Sequence, residues 1–442
     1  MKYDRIETEV QSLGNGKIVS PIQTPSTESY QQNFVSESSR VLIDIEMNTL
    51  NEMIKKGETP PSFELAGPRS RIYFDPSKLK CALVTCGGLC PGLNGILRSV
   101  VLELFYGYGV RNVYGIRYGL QGFIPKYGHD VIELTPKTVT NIIRKGGSFL
   151  GSSRGPQDIG EIVDCLERMN IGALFMIGGD GTLIAATKIV DAIAARGLKI
   201  SVVGIPKTID NDIYLVSRSF GFDSAVDVAT MAIRAAHNEA QGYPNGIGLI
   251  KLMGRHSGFI AATATLAQQD VNFVLIPEVD FDLEGPNGLF HKLEKRLELR
   301  KHAVIVVAEG VGQKYFENIE TDVDAPGNIR LKDIVLFLRD AIKSYFKAKN
   351  IGISVKYIDP SYVIRSLPAN SNDHVFCNFL GRDAVHAAMA GKTNVLIGHW
   401  NNQFVHIPMQ LSAGKRKKVN PHGKLWSGIL EATGQGQLKN GE

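Results

Sequence analysis

Two carboxylates, a hydroxyl and a lysine are concentrated in residues 206–212, which read PKTIDND. Lys207, Thr208, Asp210 and Asp212 follow the apolar run SVVGI, which is typical of a buried strand. One carboxylate could take the proton from an attacking alcohol, and the other could orient that alcohol or bind a metal ion. Lys207 could neutralise charge on a transferred phosphoryl group. A solvated polar turn is the alternative, but few such turns would end a buried strand, so the segment predicts a phosphoryl-transfer centre.

Other glycine-rich loops also follow apolar runs. In residues 178–182 (GGDGT), Asp180 could hold Mg²⁺ directly or through water, or it could serve only as a helix cap. In residues 146–155, the planar fork of Arg154 is suited to bridging phosphate oxygens, with a surface arginine as the alternative. Gly88 and the glycine before it would let the backbone approach a phosphate, with a plain tight turn as the alternative.

Three further candidates lie in the second half of the chain. Arg255 follows an apolar run and is a candidate for a developing phosphoryl charge or a substrate phosphate. Glu309 ends the run AVIVVAE, where an acid is costly unless it has a partner such as a sugar hydroxyl. Arg365, in the segment IDPSYVIR, could bind a distant phosphate.

Two lysine-containing segments are weaker candidates. Residues 391–393 (GKT) look like the end of a P-loop, but His386 stands where that pattern requires glycine. A helix-like run precedes them, so Gly391 is predicted to end a helix. The run GKRKK at 414–418 is predicted to be a solvated surface turn, with a nucleotide or effector role as the alternative.

The candidate loops alternate with apolar strands and helical patterns. Nearly continuous apolar runs, each followed by glycine and then a helix, are typical of parallel sheets covered on both faces. Ligands collect at the carboxyl ends of such strands. The sequence therefore predicts an α/β protein with its functional loops at those ends. Before these strands, residues 1–38 are predicted to form a flexible or surface-draped arm, and Ser39 to cap a helix over residues 40–56.

Size and composition limit the class of protein. The chain has 442 residues, which suggests two or three lobes. Its net charge of +5, spread over this length, is too weak to imply nucleic acid. It has no run of ~18 apolar residues that could span a membrane, and its start lacks the apolar region of a secretory signal. An odd number of cysteines, five, fits the reduced thiols of a cytoplasmic protein.

Taken in order, these motifs resemble those of the phosphofructokinase family. The resemblance runs from about residue 67 to the C-terminus. The matching segments are TCGGLCPGLN at 85–94, GGSFLGSSRGP at 146–156, GGDGT at 178–182, PKTIDND at 206–212, LMGR at 252–255, AEG at 308–310 and YVIR at 362–365. The resemblance implies glycolytic phosphorylation of fructose 6-phosphate at its 1-hydroxyl with MgATP, by a dimer or tetramer of identical chains.

The resemblance also implies an architecture. It implies two Rossmann-like lobes with mostly parallel sheets flanked by helices and the active site in the cleft. The nucleotide-binding lobe would comprise residues 76–220 and 372–415. The sugar-phosphate lobe would comprise residues 221–371 and 416–442, and residues 1–75 would form an N-terminal extension of arm and helix.

Individual roles follow from the same resemblance. Asp210 would be the base that takes the proton from the sugar hydroxyl, with Lys207, Thr208 and Asp212 beside it, and Asp180 would be the Mg²⁺ ligand. The implied nucleotide contacts are Gly88, Arg154, Gly155, Gly179, Asp180, Gly181 and Thr182. The implied substrate contacts, of which Arg255 would also meet the transition state, are Thr208, Ile209, Asp210, Met253, Gly254, Arg255, Glu309, Tyr362 and Arg365.

Two positions bear on the phosphoryl donor. Pyrophosphate-using members resemble one another in carrying Asp where Gly181 stands and Lys where Lys207 stands, whereas ATP-using bacterial members typically have Gly at both. A carboxylate at 181 would crowd and repel the α-phosphate of ATP, whereas Lys207 only adds charge. The mixture resembles the ATP-dependent branch of plants and trypanosomatids, so ATP is the predicted donor. Pyrophosphate is the first alternative, followed by an NAD or lipid kinase and a catalytically silent regulatory subunit.

The chain departs from the bacterial-type pattern at two positions. Gly246 stands where those enzymes carry an arginine that reaches a neighbouring subunit's substrate phosphate. Leu102 stands where their first helix carries an arginine for the nucleotide effector. The usual effector site is therefore predicted to be absent or altered.

Overall fold

The computed structural model of the chain describes residues 6–22, 34–317 and 331–441. Its strands are β1 (Ile18–Val19), β2 (Arg40–Leu42), β3 (Ser62–Leu65), β4 (Arg71–Ile72), β5 (Lys80–Thr85), β6 (Asn112–Ile116), β7 (Val131–Glu133), β8 (Ala173–Gly178), β9 (Ser201–Pro206), β10 (Gly246–Leu252), β11 (Phe273–Leu275), β12 (His302–Ala308), β13 (Ser354–Ile358), β14 (Val395–Trp400) and β15 (Gln403–Pro408). Its α-helices are α1 (Met47–Lys55), α2 (Leu93–Leu102), α3 (Ile159–Arg168), α4 (Asp180–Ala195), α5 (Phe222–Gln241), α6 (Phe259–Gln268), α7 (Leu289–Arg300), α8 (Ile334–Ala348), α9 (Ser361–Ser366), α10 (Ser371–Met389), α11 (Met409–Ser412) and α12 (Lys424–Thr433).

The chain divides into two compact units, each built from several segments. Unit 1 comprises the described residues of 1–208, 213–221 and 367–416. Unit 2 comprises the described residues of 209–212, 222–366 and 417–442. The PKTIDND segment therefore leaves unit 1 after Thr208 and enters unit 2 at Ile209.

Unit 1 is built on a nine-stranded sheet with the order β2-β3-β15-β14-β9-β8-β5-β6-β7. The five central strands from β14 to β6 run parallel, while β7 and the strands from β15 to β2 pair antiparallel. β8 and β9 are buried at every residue, because both faces of a parallel sheet are covered. The predicted α/β class is confirmed, and the large sheet is mixed because of its antiparallel edges.

Unit 2 is built on a smaller, wholly parallel sheet with the order β11-β12-β10-β13. One face packs on α7 and α8, whose Leu293 and Ile342 join Leu249 and Ile305 of the sheet in one buried cluster. Helices α5 and α6 contact the strands as well. In the described ranges, no helix of either unit combines the length and apolar character needed to cross a bilayer.

The helix predicted over residues 40–56 is only partly correct. Residues 40–42 form strand β2, which pairs antiparallel with β3, and the helix begins at Met47. Ser39 does not cap that helix, whose N-cap residue is Glu46. The Ser39 carbonyl instead accepts the peptide N–H of Leu65 at 2.9 Å. The spacing of apolar residues suggested a helical face, but Val41 instead packs against the core of the sheet. Pairing with a distant strand outweighed the local pattern.

Parts of the predicted flexible arm lie outside the described residues, and its described part is hydrogen-bonded to unit 1. The Leu13 N–H donates to the Gly391 carbonyl at 2.8 Å, and the Thr393 N–H donates to the Gln11 carbonyl at 2.9 Å. Gly391 has a φ of +77° and follows Ala390, the C-cap residue of α10. The prediction that Gly391 ends a helix and not a P-loop is therefore confirmed.

A buried ionic cluster in unit 1 joins residues 64 and 69 to residues 392 and 406. The Glu64 carboxylate accepts from Arg69 at 2.7 Å and from Lys392 at 3.1 Å, and it lies 3.0 Å from His406 Nδ1. Burial alone would raise the pKa of Glu64, but the hydrogen bonds and charges of His406 and Lys392 lower it to about 2. Glu37 pairs with Arg69 and Lys392 too, but its side chain is 63% exposed.

Glu64→Gln is expected to lower the free energy of unfolding at pH 7 by about 3 kcal/mol, because it leaves buried cations without their counter-charge. The lowered pKa makes this stabilisation fully present above the unfolded pKa near 4.5 and lost as the pH falls toward 2. Denaturant unfolding of both proteins at pH 7 and pH 3 measures the difference. Glu37→Gln is the matched control and should cost less than about 1 kcal/mol. A Glu64 effect of equal size at both pH values would contradict this account.

Candidate functional site

Unit 1 brings three of the predicted loops together at one edge of its sheet. Strands β5, β8 and β9 are parallel neighbours that end at Thr85, Gly178 and Pro206. The chain leaves these strands side by side, since the Lys207 N–H donates to the Gly178 carbonyl at 3.0 Å and the Cys86 N–H donates to the Ile177 carbonyl at 2.9 Å. The carboxyl ends of these strands therefore lie at one edge of the sheet. The glycine-rich loops follow β5 and β8, and residues 207–208 follow β9.

Two cations lie against the loop after β5. The buried Lys207, which is 6% exposed, donates from its ammonium to the Gly88 carbonyl at 2.6 Å. A Cβ added to Gly88 would lie 3.5 Å from Nη2 of Arg154. Gly155 has a φ of +93°, which glycine adopts without a steric cost. An anionic group at this loop would meet both cations.

Asp180 is the first residue of α4, and its carboxylate contacts a segment far along the chain. Gly179 is the N-cap residue and no side chain caps the helix, so the alternative that Asp180 serves only as a cap is wrong. Its Oδ1 accepts the N–H of Gly414 at 2.7 Å, and its Oδ2 lies 3.5 Å from Nη2 of Arg416. The prediction of a solvated turn at 414–418 missed these contacts, although the run of positive charge was visible in the sequence.

The surroundings of Asp180 fit a magnesium ion that is completed by phosphates and water. Asp180 has a side chain 16% exposed, and a Cβ added to Gly181 would have no heavy atom within 4 Å. Thr182 is buried in the first turn of α4, where helix N–H groups attract anions. Within the described ranges, no group of three or more His, Cys, Asp and Glu side chains could hold a metal ion. Magnesium is commonly held by one or two carboxylates plus substrate phosphates.

The PKTIDND segment is mostly buried, so the alternative of a solvated polar turn is wrong. Ile209 and Asp212 are each 5% exposed. In unit 2, the Lys417 N–H donates to the Asp212 carbonyl at 2.7 Å, and Ser257 Oγ donates to the Asp210 carbonyl at 3.3 Å. The two carboxylate residues are thus fixed through their own backbone carbonyls.

Thr208 ends the unit 1 part of this segment. Its carbonyl accepts a hydrogen bond from Ser219 Oγ at 2.7 Å. Lys207 forms a parallel bridge with Phe220, which also holds this stretch. Each part of the segment is therefore hydrogen-bonded within its own unit, which suits a positioned catalytic group.

Unit 2 places the MGR and AEG motifs side by side. Parallel strands β10 and β12 end together, with Leu252 opposite Ala308, so residues 253–255 and Glu309 follow at the same edge. A Cβ added to Gly310 would lie 2.0 Å from the Arg255 carbonyl oxygen, so only glycine permits this approach. Met253, Gly254 and Arg255 therefore lie directly against the loop that carries Glu309.

Glu309 lies in an environment rich in charge. Burial raises the pKa of Glu309, and the charges of Lys251 and Arg255 oppose this rise. Lys251 is bonded to Asp333 at 2.7 Å and lies 3.5 Å from Asp359. Sequence reasoning missed Lys251, whose signal was a lysine inside the apolar strand GIGLIKL. The Glu309 carboxyl group, buried near the charges of Lys251 and Arg255, is suited to hydrogen bonding with sugar hydroxyls.

Tyr362 and Arg365 lie on α9, which follows β13. Since β13 is parallel to β10, α9 begins at the same edge of the small sheet as residues 253–255. The Arg365 guanidinium lies 4.6 Å above the Tyr362 ring, and Tyr362 is 75% exposed. The predicted substrate residues that follow β10, β12 and β13 thus share one edge of the unit 2 sheet.

The departure at Gly246 has a structural cause. A Cβ added to Gly246 would lie 2.0 Å from the Ala240 carbonyl oxygen, at the start of β10. No side chain fits there without a shift of the α5 backbone. The arginine of bacterial-type enzymes is therefore excluded from this position by packing.

Comparison with known proteins agrees with the motifs. The family model described as Phosphofructokinase matches residues 80–388. A protein named ATP-dependent 6-phosphofructokinase from Borreliella burgdorferi is 49% identical and covers 98% of each chain, and ATP-dependent 6-phosphofructokinase 7 from Arabidopsis thaliana is 46% identical, covering 86% of this chain and 78% of its own. A solved pyrophosphate-dependent phosphofructokinase from Nitrosospira multiformis shares the fold, with a TM-score of 0.65 at 19% identity over 83% of this chain and 95% of that one. This chain belongs to the phosphofructokinase family.

Proposed function

We propose that this chain is an ATP-dependent 6-phosphofructokinase, which converts MgATP and D-fructose 6-phosphate to ADP and fructose 1,6-bisphosphate. The observation that carries the choice of donor is the open space at Gly181 beside Asp180. The names of relatives that are 46–49% identical over most of the chain support the same activity.

The nucleotide contacts are assigned to unit 1 and the sugar-phosphate contacts to unit 2. Nucleotide phosphates would lie on the loops after β5, β8 and β9, between the cations of Arg154 and Lys207. Asp180 would hold Mg²⁺, which supplies charge neutralisation for the phosphate oxygens when bound. The lobes expected from the sequence, residues 76–220 with 372–415 and residues 221–371 with 416–442, remain a proposal. Beyond residue 75, units 1 and 2 differ from them at residues 209–212, 221, 367–371 and 416.

The sugar phosphate would be held by groups at the edge of the small sheet. The Arg365 guanidinium, with Tyr362, would bind the 6-phosphate, because a planar fork of N–H donors matches phosphate oxygens. Glu309 would accept hydrogen bonds from sugar hydroxyls. The peptide groups of residues 253–255 would line the sugar at the neighbouring loop.

Asp210 acts as the general base of the proposed reaction. Its carboxylate takes the proton from the 1-hydroxyl as that oxygen attacks the γ-phosphorus and the bond to the ADP oxygen breaks. Lys207 and Arg255 would stabilise charge on the transferred group. Asp212 and Thr208 would orient the reacting groups. Catalysis then comes mainly from positioning and from fixed charges.

Gly181→Asp is expected to raise the KM for ATP by at least about tenfold, because the new carboxylate would repel the α-phosphate. The variant should fold, since no heavy atom lies within 4 Å of a Cβ at this position. Initial rates with ATP and with pyrophosphate measure the effect. Gly181→Ala adds a side chain without a charge, so it should raise the KM for ATP much less than Gly181→Asp does. Activity of the unmodified protein with pyrophosphate and none with ATP would overturn the donor and favour the pyrophosphate-dependent alternative.

We also propose that the protein forms a homo-oligomer and acts in the cytoplasm. By resemblance to its family, the protein is expected to act as a homo-oligomer, a dimer or a tetramer. The five cysteines all lie among the described residues as buried thiols, which supports a reducing cytoplasmic setting. Light scattering on the purified chain tests the assembly, and a monomeric mass would contradict it.

A further inference from the structure

Residues 414–416, the unit 1 part of the basic run 414–418, contact the proposed magnesium ligand. Gly414 N–H donates to Asp180 Oδ1 at 2.7 Å, and Arg416 Nη2 lies 3.5 Å from Asp180 Oδ2. Arg416 also forms an antiparallel bridge with Ile213. The backbone of the segment is therefore fixed directly beside the first turn of α4, and the reaction proposed above makes no use of it.

The two contacts on Asp180 have different characters. The hydrogen bond from the Gly414 N–H is short and fixes one carboxylate oxygen of Asp180. The Arg416 pair is long, and its side chains are 34% and 16% exposed, so it is a weak ion pair. A weak ion pair of this kind exchanges readily for a better partner. A divalent cation is a stronger partner for the carboxylate, and a phosphate is a stronger partner for the guanidinium.

We propose that Arg416 is a further nucleotide-binding residue, which pairs with Asp180 in the free protein and bonds a phosphate oxygen when that carboxylate holds Mg²⁺. The proposal rests on the proposed function, because its ligand is a magnesium-bound nucleoside triphosphate. Gly414 would keep its N–H on the other carboxylate oxygen, so Asp180 stays oriented during the exchange. The guanidinium starts 3.5 Å from the proposed metal-binding carboxylate, so a phosphate bound to the same cation would lie near it.

Titration calorimetry of the full chain with MgATP tests the proposal. Arg416→Gln is expected to weaken MgATP binding about tenfold, since charge-assisted bonds to phosphate are among the stronger ones. Arg416→Lys should recover part of the loss, because it keeps the charge but not the planar fork. Lys415→Gln is the matched control: it removes the same charge one residue away, where the ammonium lies 5.7 Å from the Tyr214 ring. The affinity of Lys415→Gln for MgATP should stay within about twofold of the unmodified chain's. The affinity of every variant for fructose 6-phosphate should also stay within about twofold of that of the unmodified chain.

The outcomes separate this proposal from the function on which it rests. If the unmodified chain binds MgATP and Arg416→Gln binds it equally well, only the Arg416 proposal fails. Tighter binding by Arg416→Gln would also overturn it, and would show that the ion pair competes with the metal. An equal loss of MgATP affinity in Lys415→Gln would mean that the net positive charge of the segment, not a contact from Arg416, explains the effect, and it would overturn the Arg416 proposal. Failure of the unmodified chain to bind MgATP at all would overturn both.

Discussion

Asp210→Asn is expected to lower kcat by a factor of about 10²–10⁴ while MgATP affinity stays within about twofold. Asparagine keeps the shape of the side chain but cannot accept the proton of the sugar hydroxyl. The backbone anchor of Asp210 is the hydrogen bond from Ser257 to its carbonyl, which the substitution leaves in place. Initial rates at saturating substrates give kcat, and calorimetry gives the nucleotide affinity.

A matched control separates loss of the base from a general effect of changing Asp to Asn. Asp164→Asn makes the same chemical change in an exposed ion pair with Arg196, where the Asp164 side chain is 59% exposed. Its kcat is expected to equal that of the unmodified protein. If Asp210→Asn kept a kcat within threefold of the unmodified value, Asp210 would not be the base. A parallel loss of MgATP affinity would indicate a disturbed loop.

The central strands were predictable because burial on both faces leaves a local signature. The runs that became β5, β8, β9, β10 and β12 are short and apolar, end at glycine or a polar loop, and precede helices or further loops. Since such strands run parallel, the loops after them had to share an edge. The sequence therefore predicted which glycine-rich loops would meet in unit 1 without any knowledge of distances.

Features that depend on distant pairing were not predictable in the same way. Strand β2 forms because Arg40–Leu42 pairs with β3, and nothing local distinguishes Val41 from a residue on a helical face. The contact between Arg416 and Asp180 joins residues 236 positions apart. A run of lysines and arginine indicates charge but not its partner, so the solvated turn was the simpler interpretation. The structure supplies the partner.

Asp180→Asn is expected to lower kcat/KM for MgATP by at least about 100-fold, because it removes the proposed carboxylate ligand of the cation. An amide oxygen is a weaker ligand than a carboxylate, so the apparent affinity for Mg²⁺ should fall as well. The affinity for fructose 6-phosphate, whose contacts are assigned to unit 2, should stay within about twofold. Rates over a range of Mg²⁺ concentrations and calorimetry with each substrate measure these effects. Asp191→Asn, an exposed position on the same helix, is the matched control and should have no effect.

The Asp180 variant also tests the exchange proposed for Arg416. Residues that share a partner should show non-additive effects. In the exchange, Arg416 contacts a phosphate only after the carboxylate binds Mg²⁺, so Arg416→Gln should weaken MgATP binding much less in the Asp180→Asn background. Fully additive losses would mean that Arg416 binds the nucleotide independently of Asp180. Wild-type affinity and turnover in Asp180→Asn would place the cation elsewhere, and the contact between Arg416 and Asp180 would then be an ordinary surface ion pair.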